Sequence, residues 1–376
     1  MLIERTVQSH IEEKMFKGKI VILYGARQVG KTTLIKGIEA QHEKRKPLFL
    51  NCDEPDIRML LTEKTSTELH NTIGNHGLVL IDEAQRVPNI GLTLKLMVDS
   101  FPHIQVVATG SSSFELSSRV IEPLTGRKYE FQLFPLTIQE LSGVYSAVEI
   151  KRIIENQLIM GMYPEVVTNP GESKDLIKEL AGSYLYKDIL AYRGLRSPEA
   201  LERLLEALAL QIGSEVSYNE LAGLVGIDKK TVDTYIQILE KAFIIFRLNP
   251  FSRNLRNEIK KLRKIYFYDT GIRNAVIRNF NPLRLRQDTG HLWENFLISE
   301  RIKYNLNNRI DVGAYFWRSH QQQEIDYLED RADHISGYEM KWGRKKSRFP
   351  KIFLSTYKGS TIETIDKNNF LPFVNP

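Results

Sequence analysis

The chain has 376 residues, 42% hydrophobic and 26% charged, the balance of a globular protein long enough for two or three cores. A net charge of +6 and a pI near 9.1 permit a nucleic-acid partner without requiring one. Cys52 is the single cysteine, which excludes an internal disulfide; the absence of a run of about 18 apolar residues argues against a membrane span, and the charged start (Glu4, Arg5, Glu12, Glu13, Lys14) is unlike a secretory leader, so a cytoplasmic setting is expected.

Ile3, Val7, Ile11 and Met15 recur at helical spacing before an apolar, β-branched run, Lys19–Tyr24, that reads as a buried strand. Gly25, Ala26, Arg27, Gln28, Val29, Gly30, Lys31, Thr32 and Thr33 follow, matching the phosphate-binding loop G-x-x-x-x-G-K-[ST] with a helix-like stretch after it. The two glycines permit a tight turn whose amides face phosphate oxygens. Lys31 brings a mobile charge to the β- and γ-phosphates, and Thr32 offers a hydroxyl to Mg²⁺. These residues predict ATP and Mg²⁺ as ligands.

Pro47–Asn51 reads as a second strand, and Leu78–Ile81 as an apolar strand ending in Asp82 and Glu83. Asp82 is expected to hold Mg²⁺ through water or Thr32, and Glu83 to orient or polarise the attacking water. His103–Gly110 is another buried strand, ending at Ser111–Ser113. Ser111 is a candidate γ-phosphate sensor, although a helix N-cap explains it equally well. Arg127, before the Tyr129–Phe134 strand, reads either as an arginine finger, in cis or from a neighbouring subunit, or as a structural salt bridge. Strands alternating with helices predict a parallel sheet with ligand at its C-terminal edge.

After Pro135 the strand signal fades, and residues 136–197 read as a helical lid or linker. Ser214–Val225 and Lys229–Lys241 are predicted helices joined by a tight turn, with Phe243–Leu248 returning as a strand. This is the pattern of a winged helix-turn-helix. Lys229, Lys230 and Thr231 open the second helix, and Arg253, Arg256, Lys260 and Lys261 lie in a strongly basic stretch beyond it. Both are candidate DNA contacts. Winged helices also serve as protein-binding and structural modules.

In the last third, Glu294 lies in a helical stretch, His291–Tyr304. Gln323–Leu328 alternates as a strand, Glu329–Asp333 reads as a turn, and Ile335–Trp342 reads as the returning strand. Period-two alternation puts Glu339 and Lys341 on one face, and strand pairing would bring Asp326 to them. Asp326 and Glu339 are the expected Mg²⁺ ligands, with Glu294 and Lys341 beside them, for phosphodiester attack. A solvated strand face gives the same alternation.

These segments together resemble the bacterial and archaeal ATPases with an AAA-type (AAA_14) N-terminal domain and a DUF4143 C-terminal region. The carriers are Gly25–Thr33, Leu80–Gln85, Leu124–Arg127 with Phe134–Pro135, Tyr186–Asp188, Tyr268–Gly271, Trp293–Phe296, Glu324–Asp326 and Glu339–Lys341. The resemblance implies a PD-(D/E)xK nuclease-like fold in the C-terminal part, with Glu294, Asp326, Glu339 and Lys341 on its active-site pattern. The expected architecture is α/β: a P-loop NTPase parallel sheet over 1–135, a helical lid over 136–197, a winged helix-turn-helix over 198–264, and a restriction-endonuclease-like α/β domain over 265–376. The expected function is Mg²⁺-dependent ATP hydrolysis by a DNA-associated protein, nucleotide state controlling the winged-helix and nuclease-like module. The alternative is a nucleotide-dependent regulatory switch, with a protein partner or a homo-oligomer, whose nuclease fold is inactive.

Overall fold

The structure is a computed structural model that describes residues 2–110, 124–184, 197–251, 263–319, 321–331, 334–343 and 349–376. The chain divides into two compact units. The smaller comprises Glu4–Phe134 with Lys241–Phe243; the larger comprises the residues up to Ile3, Pro135–Glu240 and Ile244–Pro376.

In the smaller unit, β1 (Ile20–Gly25), β2 (Pro47–Asn51), β3 (Leu78–Asp82), β4 (Gln105–Gly110) and β5 (Lys128–Leu133) form one sheet in the order β2-β3-β4-β1-β5. Every pairing is parallel. β1, β3 and β4 are buried throughout, as their unbroken apolar runs require of strands covered on both faces. The helices are α1 (Thr6–Lys14), α2 (Lys31–Gln41), α3 (Pro55–Leu61), α4 (Ser66–Ile73) and α5 (Ile90–Ser100). Val7, Ile11 and Met15 are buried along one face of α1 and its end. Because β4 lies between β3 and β1, the C-terminal ends of all three meet at one edge.

The larger unit contains α6 (Ile138–Leu141), α7 (Ala147–Met160), α8 (Pro164–Thr168), α9 (Ser173–Tyr184), α10 (Pro198–Leu210), β6 (Glu215–Val216), α11 (Tyr218–Val225), α12 (Lys229–Lys241) apart from its last residue, β7 (Ile245–Pro250) and β8 (Arg263–Phe267). It continues with α13 (Thr270–Val276), α14 (Thr289–Asn307), β9 (Gly313–Arg318), β10 (Glu324–Arg331), β11 (His334–Met340), α15 (Lys351–Thr356), β12 (Thr361–Ile365) and α16 (Phe370–Val374). All seven strands join one sheet, β12-β11-β10-β9-β7-β8-β6. The antiparallel trio β7-β8-β6 meets the rest through a parallel pairing of β7 with β9, Asn249 opposite Tyr315 and Pro250 opposite Phe316.

Segments 198–264 and 265–376 therefore share one sheet. They also share a core, in which Phe246, Leu248 and Tyr266 pack with Trp293, Phe296 and Phe316. The segment expected as a lid is likewise built into this unit: α7 and α9 pack on α13. Asp269 fixes that arrangement, since one oxygen caps α13 through the Ile272 amide (3.0 Å) and the other accepts from the Met162 amide (2.6 Å). Residues 329–331 are strand rather than turn. Glu329 is buried and takes a bidentate pair of hydrogen bonds from Arg301 (2.7 and 2.9 Å), an anchorage no turn residue would have.

Candidate active sites

The first site lies at the C-terminal edge of the parallel sheet. Gly30, at φ +97°, caps α2, a backbone setting open to glycine and costly for residues with a Cβ. Gly25 has a different constraint from the one its motif suggests: a Cβ there would stand 2.3 Å from the Leu133 carbonyl oxygen. The neighbouring strand, as well as phosphate approach, thus demands glycine. Lys31 is 5% exposed, and its ammonium donates to the carbonyls of Gly25 (3.0 Å) and Ala26 (2.7 Å).

Asp82, at the end of β3, organises the site. Its Oδ2 accepts from the Thr32 hydroxyl at 2.6 Å, and its Oδ1 accepts from the Thr109 hydroxyl. Thr109 Oγ1 also accepts the Glu83 amide at 3.1 Å, so one β4 side chain links both acidic residues. Glu83 has φ +52°, an unusual backbone for a non-glycine residue, and its carboxylate accepts from Gln85 Nε2. Thr32 and Asp82 are adjacent hard oxygen donors, which suits Mg²⁺.

Thr109 was not among the expected residues; its only sequence signal is a hydroxyl at the tip of an apolar strand, two positions before Ser111. Ser111 itself lies outside the described residues. Arg5 was also missed. Its guanidinium donates to the Val29 carbonyl and to the Phe134 carbonyl, each at 2.6 Å, tying the phosphate loop to the end of β5. Ala26, Arg27, Gln28 and Val29 lie in the loop, and Thr33 lies in the first turn of α2.

Arg127 stands away from the loop. It precedes β5, whose first residue pairs with Ile20, whereas the loop follows Gly25 at the opposite end of β1. Six strand residues separate the two levels, roughly 17 Å at the usual rise. Arg127 pairs with Asp99 at 2.6 Å, the structural salt bridge that was the alternative expectation for it.

The second site is a cavity of about 830 Å³ within the larger unit. It gathers Glu294 from α14, Asp326 from β10, Glu339 from β11, and Lys341 just beyond β11. Lys341 Nζ stands 2.9 Å from Glu339 and 3.8 Å from Asp326. Asp326 Oδ2 accepts the Met340 amide at 2.8 Å. The pairing of β10 with β9 shifts by one residue between Ile325 and Leu328, a bulge that breaks simple alternation and lets Asp326 and Tyr327 both be buried. Asn295 hydrogen-bonds both backbone groups of Phe267 (2.7 and 2.9 Å), which pins α14 to β8 and sets Glu294 against that strand.

Lys264 on β8, only 2% exposed, reaches into the same cavity, although its position in a basic run gave no such signal. Its ammonium lies 3.1 Å from Glu294 Oε1 and pairs with Glu324. The Tyr266 hydroxyl donates to Glu294 Oε1 at 2.7 Å. Burial alone would raise the Glu294 carboxyl, but Lys264, His291 and Tyr266 hold it down to about 2. Asp326 is pushed the other way, up to about 8, by burial and by the Glu294 charge.

Among the described lining residues, Glu215, Glu294, Glu324, Asp326 and Glu339 face Lys264, Arg318 and Lys341. No three His, Cys, Asp or Glu side chains among the described residues converge as a complete metal cage. Two carboxylates with water and substrate oxygens are nevertheless an ordinary magnesium donor set, and Asp326 and Glu339 fit it.

Of the expected DNA contacts, Lys229 and Lys230 are exposed at the start of α12. The Thr231 hydroxyl is bonded to Asp228, whose other oxygen takes the amides of Lys230 (2.9 Å) and Thr231 (3.0 Å). Arg253, Arg256, Lys260 and Lys261 lie outside the described residues.

Comparison with known proteins gives three matches along the chain. Residues 17–142 match the model of an AAA domain, 151–283 a domain of unknown function (DUF8612), and 289–368 a domain of unknown function (DUF4143). An uncharacterized protein of Mycobacterium tuberculosis is 27% identical over 347 residues, covering 91% of this chain and 74% of its own. One from Methanocaldococcus jannaschii is 25% identical over 344 residues, covering 86% and 75%. Among solved structures, the Walker-type ATPase of Pyrococcus abyssi aligns with a TM-score of 0.50 at 18% identity, over 73% of this chain and 96% of that one. The chain thus has the α/β fold and parallel sheet of a P-loop ATPase, with an AAA domain match and a DUF4143 match in sequence.

Proposed function

We propose that this chain binds and hydrolyses ATP with Mg²⁺ and associates with DNA, nucleotide state controlling a winged-helix and nuclease-like module. The observation that carries the ATPase reading is the convergence of Lys31, Thr32, Asp82, Glu83 and Thr109 at one sheet edge. Lys31 neutralises the β- and γ-phosphates, exchanging its two loop carbonyls for phosphate oxygens. Thr32 and Asp82 would hold Mg²⁺, which would supply charge neutralisation at the phosphates. Glu83 orients the attacking water and accepts its proton. The direct test is phosphate release by the purified chain: Lys31→Ala should lose ATP binding, whereas Glu83→Gln should bind ATP and turn it over slowly.

The paired helices α11 and α12 with strands β6, β7 and β8 support the winged-helix reading of 198–264. Asp228 already caps the start of α12, so DNA phosphates are met by the Lys229 and Lys230 ammoniums rather than by helix amides. For 265–376 we read a nuclease-like pocket in which Asp326 and Glu339 hold one Mg²⁺. The ion would supply Lewis-acid neutralisation of a phosphodiester, while Lys341 stays close to both ligands and Glu294 lines the wall. Nicking of supercoiled DNA, abolished by Asp326→Ala with ATP turnover intact, tests this part. No nicking on linear, supercoiled or branched DNA, with or without ATP, would leave a regulatory switch with an inactive fold as the better description.

A further inference from the structure

Lys264 is not needed by the reading of the carboxylate pocket given above, yet it is the most deeply buried charge there. Lys264 is 2% exposed and its ammonium lies 5.7 Å from the centre of the Phe316 ring, so the charge is held away from bulk solvent. It bridges two carboxylates from different elements, Glu294 on α14 and Glu324 on β10. Burying an ammonium costs several kcal/mol unless oxygen partners compensate it. Two carboxylates and a nearby hydroxyl, Tyr266, are also what a hard divalent ion seeks.

We propose that Lys264 is a built-in cation filling the place of a second divalent ion, so that the pocket accepts one Mg²⁺ or Mn²⁺ at Asp326 and Glu339 and no more. The one-ion part rests on the nuclease-like reading; the role of Lys264 does not. Two-ion phosphodiesterase sites hold their metals about 3.5–4 Å apart between shared carboxylates. Here the Glu294–Glu324 half of the cavity is closed by a tethered charge. Lys264 also draws Glu294 toward β8, leaving Asp326 and Glu339 as the available pair. It is a positioning residue.

The test is Mn²⁺ binding by nucleotide-free full-length protein, counted by calorimetry and by electron paramagnetic resonance of free Mn²⁺. Any ion at the phosphate loop is common to every variant and cancels. Lys264→Met should bind one more Mn²⁺ per chain than the parent, and Lys264→Arg, which keeps the charge, should bind the parent number. Equal binding by Lys264→Met and the parent overturns the proposal. If Lys264→Met does not fold in metal-free buffer, refolding in millimolar Mn²⁺ but not in NaCl of equal ionic strength supports it, and failure in both overturns it. Asp326→Asn separately reports the underlying reading: loss of one ion from the parent number upholds it, and no loss removes it while leaving the Lys264 comparison standing.

Discussion

Asp82 divides its two oxygens between Thr32 and Thr109, so the α2 hydroxyl and the β4 hydroxyl are held by one carboxylate. Thr109→Val keeps the shape and removes that donor, together with the acceptor for the Glu83 amide. It should slow ATP turnover about 10-fold or more with little change in nucleotide affinity, read by phosphate release and by fluorescent-nucleotide titration. Glu83→Gln should retain binding and lose roughly 10²-fold in turnover; parental turnover would remove its assigned role. The phosphate loop and the two acidic residues were legible because their chemistry is local, a fixed spacing after a strand. Thr109 and Arg5 were not. Their contacts depend on β4 lying between β3 and β1 and on β5 ending beside the loop, and strand order is not written in local spacing.

At the level of elements, α14 shows how helix and strand patterns combine into a site. Trp293 and Phe296 anchor it in the core, Asn295 locks it to β8, and Glu294 faces the cavity. The pattern made the helix readable, and it also foretold that Asp326, Glu339 and Lys341 would converge if the strands paired. The β10 bulge was invisible, since period-two alternation cannot register an inserted residue. Asp288, at the start of α14, ties the helix to α13: Arg273 and Arg286 both donate to it. Burial would raise its carboxyl, but those two guanidiniums hold it well below the usual range. Its contribution is therefore present above the unfolded value near 4 and is lost as pH falls through the folded one. Asp288→Asn should cost about 1–3 kcal/mol at pH 7. Urea unfolding should show that difference shrinking toward pH 2; a difference independent of pH would contradict the assignment.

For the whole molecule, the two units divide the candidate sites: the parallel sheet carries the proposed nucleotide site, and the seven-stranded sheet carries both the helix pair and the carboxylate pocket. The four segments expected from sequence reduce to two compact units because β7 pairs with β9, a long-range contact between stretches whose local patterns look independent. DNA association should be salt-dependent and weakly sequence-selective. With about four to six phosphates contacted, log K against log salt should slope by roughly −4 to −5. Lys229→Ala with Lys230→Ala should flatten that slope by about two, and an unchanged slope would exclude this helix as a contact. The central claim is ATP hydrolysis at the Gly25–Thr33 loop, and steady-state phosphate release by the parent and by Lys31→Ala, with Mg²⁺ and with or without duplex DNA, measures it directly. The parent should release phosphate in a Mg²⁺-dependent way, faster with DNA, and Lys31→Ala almost none; equal release by the two proteins, or tight ATP binding by the parent without release under any condition, would rule out hydrolysis at this loop.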